Sequence, residues 1–338
     1  QQEIQRILYD LSCDIGNHAD SFIEDYAAIV ELDLYFAKAR LASKMNASVP
    51  NLSDDGKVRL SKARHPLIDR SKVVPIDVSI GEGFNTLIIT GPNTGGKTVT
   101  LKTIGLLTLM AECGLHVPAG DGSCLSVYDS ILADIGDEQS IAQSLSTFSS
   151  HMRTIVDVVD QCDDRTLVLF DELGAGTDPA EGAALAIALI EFCRNMGSRV
   201  IATTHYAELK LYAMRTDGVI NASCEFDVET LSPTYRLLIG IPGKSNAFAI
   251  SSKLGIPDEI IEKAKGQIGK QERSFEDLLS DLEKSRITIE KEQAQIEKYK
   301  EEIKDLKEQL TKKHEKIDAS KDKILRDANE RAKEILQE

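Results

Sequence analysis

The feature that most restricts the fold of this 338-residue chain is a glycine-rich loop between an apolar strand and a helix. The strand is predicted over residues 86–90 and the helix over residues 99–112. The loop has the form G-x-x-x-x-G-K-T, which in this strand–loop–helix context is typical of phosphate binding and disfavours an ordinary glycine-rich turn. It consists of Gly91, Pro92, Asn93, Thr94, Gly95, Gly96, Lys97 and Thr98. The sequence therefore predicts an α/β domain that binds a nucleotide.

Each residue type of this loop suits one part of a nucleotide phosphate chain. Glycines let backbone N–H groups curl around phosphate oxygens, and the helix that follows favours negative charge at its start. Lys97 is expected to reach the β- and γ-phosphates, and the hydroxyl of Thr98 is expected to bind Mg²⁺. We therefore expect residues 91–98 to hold ATP together with Mg²⁺.

A second strand, predicted over residues 166–170, delivers two carboxylates at its end. Asp171 is expected to hold Mg²⁺ through water, and Glu172 to orient or deprotonate the attacking water. An Asp-Glu pair after a strand is a weak signal alone, but it is strong about 70 residues after a phosphate loop. A third strand, over residues 199–203, leads to His205, which is predicted to contact the γ-phosphate. The alternative for His205 is an ordinary surface histidine.

Across the middle of the chain, short apolar strands alternate with helical stretches such as 180–196. Continuous apolar strands of this kind indicate a mostly parallel sheet that is covered by helices on both faces. The predicted domain order is a long helix at 1–48, the α/β domain at 49–268 and a charged helical linker at 269–338.

The segments on either side of this domain are predicted to be helical. Apolar residues spaced by three and four predict a helix about 40 residues long over residues 1–45. Gly16 is expected to weaken this helix only slightly. Because the helix cannot cover its own apolar face, we expect it to pack against another part of the protein. In residues 271–338, 35 of 68 residues are charged, and an apolar residue recurs every seven positions from Phe275 to Ile324. The second set of heptad core positions, which begins three residues later at Leu278, is only about half apolar. A weakly paired coiled coil is therefore predicted. A single solvated helix or a flexible tether is the alternative.

Composition and termini exclude several classes of protein. The formal charge of −15 argues against nucleic-acid binding over the whole surface and restricts such contacts to a local patch or to parts outside this chain. No apolar run approaches the roughly 18 residues needed to cross a membrane. The six cysteines are scattered without a C-x-x-C pair, which indicates reduced thiols and a cytoplasmic location. The start does not resemble a signal peptide, and because the first residue is not Met we expect a piece of a longer protein.

Six motifs occur together in the central domain. They are the loop 91–98, Leu145-Ser146-Thr147-Phe148, the segment 171–178, Ala202-Thr203-Thr204-His205-Tyr206, Arg64-His65-Pro66 and Gly243-Lys244-Ser245-Asn246. As a set they resemble the ATPase domain of the MutS family over about residues 60–265. The resemblance implies an ABC-type P-loop ATPase that uses ATP and Mg²⁺. Residues 137–152 are most similar to the second bacterial MutS type, and no mismatch-reading domain is expected in this chain.

The resemblance also implies a homodimer with two ATP sites at its interface. Ser146 and Thr147 of one chain would approach the γ-phosphate held by the other chain, which makes Ser146 a catalytic residue in trans. The alternative is that Ser146 only caps a helix that begins beside it. The loop 174–178 would cross the interface. Residues 1–45 resemble the last helix of a lever and residues 271–338 the start of a long coil, and the nuclease-like domain of the family is not expected here.

The resemblance implies that the full-length protein acts on nucleic acid. The target is either branched DNA, where recombination is suppressed, or the rRNA of collided ribosomes, whose subunits are separated, and the sequence leaves both open. Such contacts are expected mainly through regions outside this chain. A structural coiled-coil ATPase of the SMC and Rad type is the alternative, because proteins of that type have a loop with a sequence pattern similar to that of residues 174–178. The Ser-Thr-Phe motif at 146–148 and the Thr-His-Tyr strand end at 204–206 favour the MutS family over that alternative and over a transporter ATPase.

Overall fold

The computed structural model describes residues 1–92, 95–136, 147–227, 230–243 and 247–267, and helical positions between residues 285 and 328, chiefly 295–311. The chain forms two compact units, Gln1–Gly269 and Lys270–Glu338. Three residues of the predicted site, Asn93, Thr94 and Ser146, lie outside the described residues, as does much of the predicted coiled coil.

A six-stranded sheet forms the centre of the first unit and confirms the predicted α/β fold. The described strands are β1 (Asn51–Ser53), β2 (Val58–Ala63), β3 (Ile76–Ile80), β4 (Thr86–Thr90), β5 (Cys124–Ser126), β6 (Ser130–Asp134), β7 (Thr166–Phe170), β8 (Arg199–Thr203), β9 (Val219–Asp227) and β10 (Ser232–Ile239). The large sheet has the order β10-β9-β4-β8-β7-β6, and of these strands only β10 runs antiparallel to its neighbour. A smaller sheet has the order β1-β5-β2-β3.

Helices pack on both faces of the large sheet. The described helices of the first unit are α1 (Gln2–Asn17), α2 (Ala19–Met45), α3 (Lys97–Glu112), α4 (Thr147–Gln161), α5 (Pro179–Asn195), α6 (Ala207–Arg215), α7 (Ala247–Lys253) and α8 (Asp258–Gln267). Side chains alternate along β4, so Leu87 and Ile89 join the core formed by α3 and the smaller sheet, whereas Ile88 joins the core formed by α4, α5 and α6. Because both faces of β4, β7 and β8 are buried, these strands are continuous apolar runs.

The single long helix predicted at the start of the chain is wrong, because two helices, α1 and α2, meet at His18. His18 has φ −113° and ψ 13°, and its N–H donates to the carbonyl of Ile15, three residues back rather than four, at 3.0 Å. Gly16 and Asn17 stand beside the break, and both residue types have low helix propensity. Within α1 and α2 only Ala42 is buried and Met45 packs partly on the core, so most of their apolar side chains are exposed.

In the second unit, residues 295–311 form a helix. Three members of the predicted apolar column, Ile296, Ile303 and Leu310, are exposed on it. Pairing of this helix into a coiled coil stays a prediction. No helix in the described parts of either unit is long and apolar enough to span a bilayer.

Candidate active site

The phosphate loop follows β4, which lies completely buried between β8 and β9, and α3 begins at Lys97. Gly91 and Gly96 have φ values of 133° and 94°, which residues with side chains disfavour. A Cβ on Gly96 would lie 2.9 Å from the ring of Tyr235, and one on Gly91 would lie 3.1 Å from the carbonyl oxygen of Cys224. Both positions therefore require glycine, for conformation and for space.

Lys97 lies inside this loop with only 1% of its surface exposed. Its Nζ donates to the carbonyl of Gly91 at 2.8 Å and lies 3.3 Å from each ring nitrogen of His205. Burial lowers the pKa of Lys97, and the nearby negative charges of Glu172 and Asp171 oppose that effect. The site thus holds a buried ammonium group beside a glycine-rich loop, which is a suitable environment for phosphate oxygens.

The two predicted carboxylates follow β7 and are held by the end of β8. The hydroxyl of Thr203 donates to Asp171 Oδ1 at 2.6 Å and accepts the N–H of Glu172 at 2.8 Å. Glu172 Oε1 lies 3.0 Å from His205 Nε2. Glu172 also has a φ of 49°, in the left-handed region that non-glycine residues seldom adopt. Asp171 is buried, whereas Glu172 and His205 remain partly exposed.

These residues come together because parallel strands end at the same edge of the sheet. β8 pairs in parallel with β4 on one side and with β7 on the other, so the phosphate loop, His205 and the two carboxylates follow adjacent strand ends. Thr98 lies half-buried in the first turn of α3. Ser146 precedes α4 in sequence and lies outside the described residues, so its position stays a prediction.

A cavity of about 240 Å³ beside the loop is a feature that the sequence analysis does not anticipate. Its lining includes His65, Val73, Gly96, Val99 and Tyr235. A mostly apolar cavity with a few polar groups suits a flat ligand such as a nucleobase. His65 belongs to a motif singled out above, but Tyr235 carries no local signal, because β10 reaches this position only by pairing with β9.

A further carboxylate–histidine pair lies beside Asp171. His151 Nδ1, on α4, is 2.9 Å from both carboxylate oxygens of Asp134, the last residue of β6. Burial raises the pKa of Asp134, and His151 opposes that shift. The backbone N–H of Asp171 donates to the carbonyl of Asp134 at 2.8 Å. The pair therefore anchors α4 at the same sheet edge as the predicted metal ligand, and only the fold brings these residues together.

The oxygen donors at this edge fit Mg²⁺ better than a permanent metal centre. Mg²⁺ uses one or two protein carboxylates and keeps waters and substrate phosphates as its other ligands. Asp171 and Thr98 offer one carboxylate and one hydroxyl. Over the part of the chain that the structure describes, no group of three or more His, Cys, Asp or Glu side chains could hold a metal ion. This donor set suits a metal that arrives with a nucleotide.

The mostly parallel sheet and the loop after β4 define the class of protein, a P-loop ATPase domain of the ABC type. Residues 87–272 match MutS domain V. The whole chain is 63% identical to a protein named Endonuclease MutS2 from Agathobacter rectalis and 59% identical to one of the same name from Lachnoclostridium phytofermentans. A third, from Caldanaerobacter subterraneus, is 60% identical over 99% of the chain.

The chain belongs to the MutS family, in its MutS2 branch. This confirms the predicted resemblance and favours it over the SMC and Rad alternative. The chain spans only 42–43% of the length of these three relatives. The activity, substrates and partners of a whole protein of this type are therefore matters for proposal.

Proposed function

We propose that this chain binds ATP together with Mg²⁺ and hydrolyses it to ADP and phosphate. The backbone of residues 91–96 would surround the phosphates, and Lys97 would bind the β- and γ-phosphates. Thr98 would be a direct Mg²⁺ ligand, and Asp171 would hold the ion through water. The cavity lined by Tyr235 would receive the adenine. Membership of the MutS family and the buried ammonium group beside the loop support this assignment.

The observation that carries the proposal of hydrolysis is the contact chain from Lys97 through His205 to Glu172. His205 lies 3.3 Å from Lys97 Nζ and 3.0 Å from Glu172 Oε1, and this contact with both side chains supports a shared role of the three residues in hydrolysis. Glu172 would orient and deprotonate the attacking water, and His205 would contact the γ-phosphate. Bound Mg²⁺ supplies neutralisation of charge on the β- and γ-phosphate oxygens.

Replacement of Glu172 by Gln tests the hydrolytic role. Gln keeps the size and one oxygen of the side chain but cannot take a proton, so kcat should fall by about 10²–10⁴-fold while ATP affinity stays within about twofold of wild type. Phosphate release measures kcat, and titration with a fluorescent ATP analogue measures affinity. Glu191→Gln, an exposed change on α5, is the matched control and should leave both values unchanged. Wild-type kcat in Glu172→Gln would contradict the role assigned to this carboxylate.

We further propose that the active form is a homodimer in which Ser146 of one chain acts on the ATP bound by the other. The support is membership of the MutS family. Ser146 directly precedes α4 in sequence, a position that equally suits the capping alternative. The hydroxyl would stabilise charge on the transferring phosphoryl group only when two chains are joined. The loop 174–178 would cross the same interface. Hydrolysis would then require association of two chains.

Complementation between two inactive variants tests this shared site. A Ser146→Ala chain keeps an intact phosphate loop, and a Lys97→Ala chain keeps Ser146. Mixed dimers should regain one working site, although each variant alone is nearly inactive. A differently tagged pair allows mixed dimers to be isolated and their ATPase activity to be measured. Activity equal to the sum of the two variants in isolated mixed dimers would rule out action in trans.

We propose that the full-length protein uses this ATPase cycle on nucleic acid, either branched DNA during recombination or the rRNA of collided ribosomes. The MutS family assignment supports a nucleic-acid target in general. The chain itself has a formal charge of −15, which supports contacts made mainly by other regions. Binding of the full-length protein to four-way DNA junctions and to collided ribosomes, compared at one salt concentration, distinguishes the two targets. We also propose a cytoplasmic location, which the scattered spacing of the six cysteines supports.

A further inference from the structure

One buried hydroxyl group contacts both residues of the Asp171–Glu172 pair. Thr203, the last residue of β8, has no exposed surface. Its Oγ1 donates to Asp171 Oδ1 at 2.6 Å and accepts the N–H of Glu172 at 2.8 Å. Its backbone carbonyl accepts the N–H of Leu173 at 3.1 Å. A single residue on the neighbouring strand therefore holds three consecutive residues of the segment that follows β7.

These bonds fix the direction in which the hydroxyl acts. A threonine hydroxyl carries one proton and two lone pairs. Because one lone pair accepts the N–H of Glu172, the proton of Thr203 is available to Asp171, and it is directed to Oδ1. The rotation of the Asp171 carboxylate is thereby set, and Oδ2 is left for water on a metal ion. A valine at position 203 would keep the shape of the side chain and lose both bonds.

The backbone of Glu172 needs the same support. Its φ of 49° is left-handed, and non-glycine residues keep such a conformation only where the surrounding structure determines it. The N–H groups of Glu172 and Leu173 both bond to Thr203, one to the hydroxyl and one to the carbonyl. The turn that aims the Glu172 side chain at His205 is therefore built on Thr203.

We propose that Thr203 is a positioning residue that orients both carboxylates. It would direct Asp171 toward the metal-bound water and Glu172 toward the attacking water. This inference rests on the proposed ATPase function. Thr203 acts through Asp171 and Glu172 and does not itself contact the nucleotide. Partners that orient a metal ligand in this way are typically worth 10–100-fold in metal affinity or activity.

Thr166 provides a matched control on the adjacent strand. It is also fully buried, its hydroxyl donates to Asp163 Oδ1 at 2.6 Å and it accepts the N–H of Asp163 at 3.1 Å. As in Thr203, the hydroxyl donates to a carboxylate and accepts a backbone N–H, although Thr166 makes both bonds with one residue. Thr166 begins β7, at the end opposite to Asp171. Thr166→Val and Thr203→Val therefore remove the same kinds of bond, one distant from the site and one within it.

The experiment compares wild type, Thr203→Val, Thr203→Ser and Thr166→Val in the full 338-residue chain. The affinity for a fluorescent non-hydrolysable ATP analogue is measured in EDTA and across a Mg²⁺ titration, together with kcat and the unfolding temperature. In Thr203→Val, kcat should fall and the Mg²⁺ concentration for half-maximal effect should rise, each by about 10–100-fold. Affinity in EDTA should stay within about twofold of wild type. Thr203→Ser should restore most of both values, and Thr166→Val should lose stability alone.

Three results would overturn the inference. The first is a Thr203→Val protein whose kcat and Mg²⁺ concentration for half-maximal effect equal those of wild type. The second is a Thr203→Ser protein in which both values change as much as in Thr203→Val. The third is a Thr166→Val protein in which the Mg²⁺ concentration for half-maximal effect rises as much as in Thr203→Val. Failure of the proposed ATPase function has a different signature, since wild type would then release no phosphate. In that event the Mg²⁺ titration of analogue binding still decides whether Thr203 orients Asp171.

Discussion

Replacing Lys97 by Met should have opposite effects on the nucleotide-free and the nucleotide-bound protein. Lys97 is 1% exposed, and burial holds its pKa below the ordinary value of 10.5. A lysine with a lowered pKa costs folding free energy at neutral pH, where its charge must be buried. That cost disappears as the pH rises toward 10.5 and the unfolded chain loses the same proton. Removing the ammonium group should therefore stabilise the free protein at pH 7.

The expected size follows from this burial. Replacing a buried ion pair with apolar side chains of similar volume is often neutral or stabilising, by about 1–4 kcal/mol, whereas removing one partner alone is unfavourable. Lys97→Met leaves the nearby negative charges of Glu172 and Asp171 in place, so the gain lies at the low end of this range. Lys97 keeps a 2.8 Å bond to the Gly91 carbonyl, which offsets part of the cost, so we take about 1 kcal/mol. The unfolding temperature of nucleotide-free Lys97→Met should then rise by about 1–2 °C, because the entropy of unfolding grows with chain length. Wild type at a nucleotide concentration of 100 Kd should gain about 2.7 kcal/mol, which the variant loses.

Thermal unfolding at pH 7, with and without a non-hydrolysable ATP analogue and Mg²⁺, measures both effects. Without nucleotide, Lys97→Met should have the higher unfolding temperature. With nucleotide, wild type should have the higher unfolding temperature. At about pH 10 the difference without nucleotide should shrink. Lys102→Met, an exposed change on α3, is the control and should show neither effect. A lower unfolding temperature for nucleotide-free Lys97→Met would refute the argument from burial.

Two further predictions concern glycine and tyrosine positions near the site. Gly174→Ala should cost about 1–3 kcal/mol of unfolding free energy, clearly more than Gly83→Ala, in chemical denaturation. Both glycines have φ near 80°, but a Cβ on Gly174 would collide with the carbonyl of Gly182, whereas Gly83 faces open space, so equal losses would contradict the steric explanation. Tyr235→Ala should weaken ATP binding by about 5–160-fold in a fluorescence titration, because stacking on a base is worth about 1–3 kcal/mol. If the affinity for ATP were unchanged, the assignment of the adjacent cavity as the adenine site would be wrong.

The parts of the structure that the sequence predicts are those with local causes. β4, β7 and β8 are continuous apolar runs because both of their faces are buried, and the phosphate loop has its own spacing of glycines. The adjacency of Lys97, Glu172 and His205 follows from strands that end at one edge. The break at His18 has a local cause as well, but the apolar spacing continues across Gly16 and conceals it.

What the sequence does not predict depends on pairing between distant segments. Thr203 belongs to the motif 202–206, but the motif does not predict the contact of its hydroxyl with Asp171, which depends on the register of β8 against β7. Tyr235 reaches Gly96 only because β10 pairs with β9. His151 and Asp134 lie 17 positions apart and meet only when α4 packs on β6. Such contacts carry no local pattern.

The central position of β4 also has a consequence for synthesis on the ribosome. Its two neighbours in the sheet, β8 and β9, both begin more than 100 residues after it ends. At about 5–20 residues per second, the ribosome needs roughly 6–27 s to supply them. During that interval the apolar residues of β4 have no partner strand on either side. The nascent chain therefore passes through a period in which the apolar strand that leads into the phosphate loop is unpaired, and co-translational chaperone contacts are expected there.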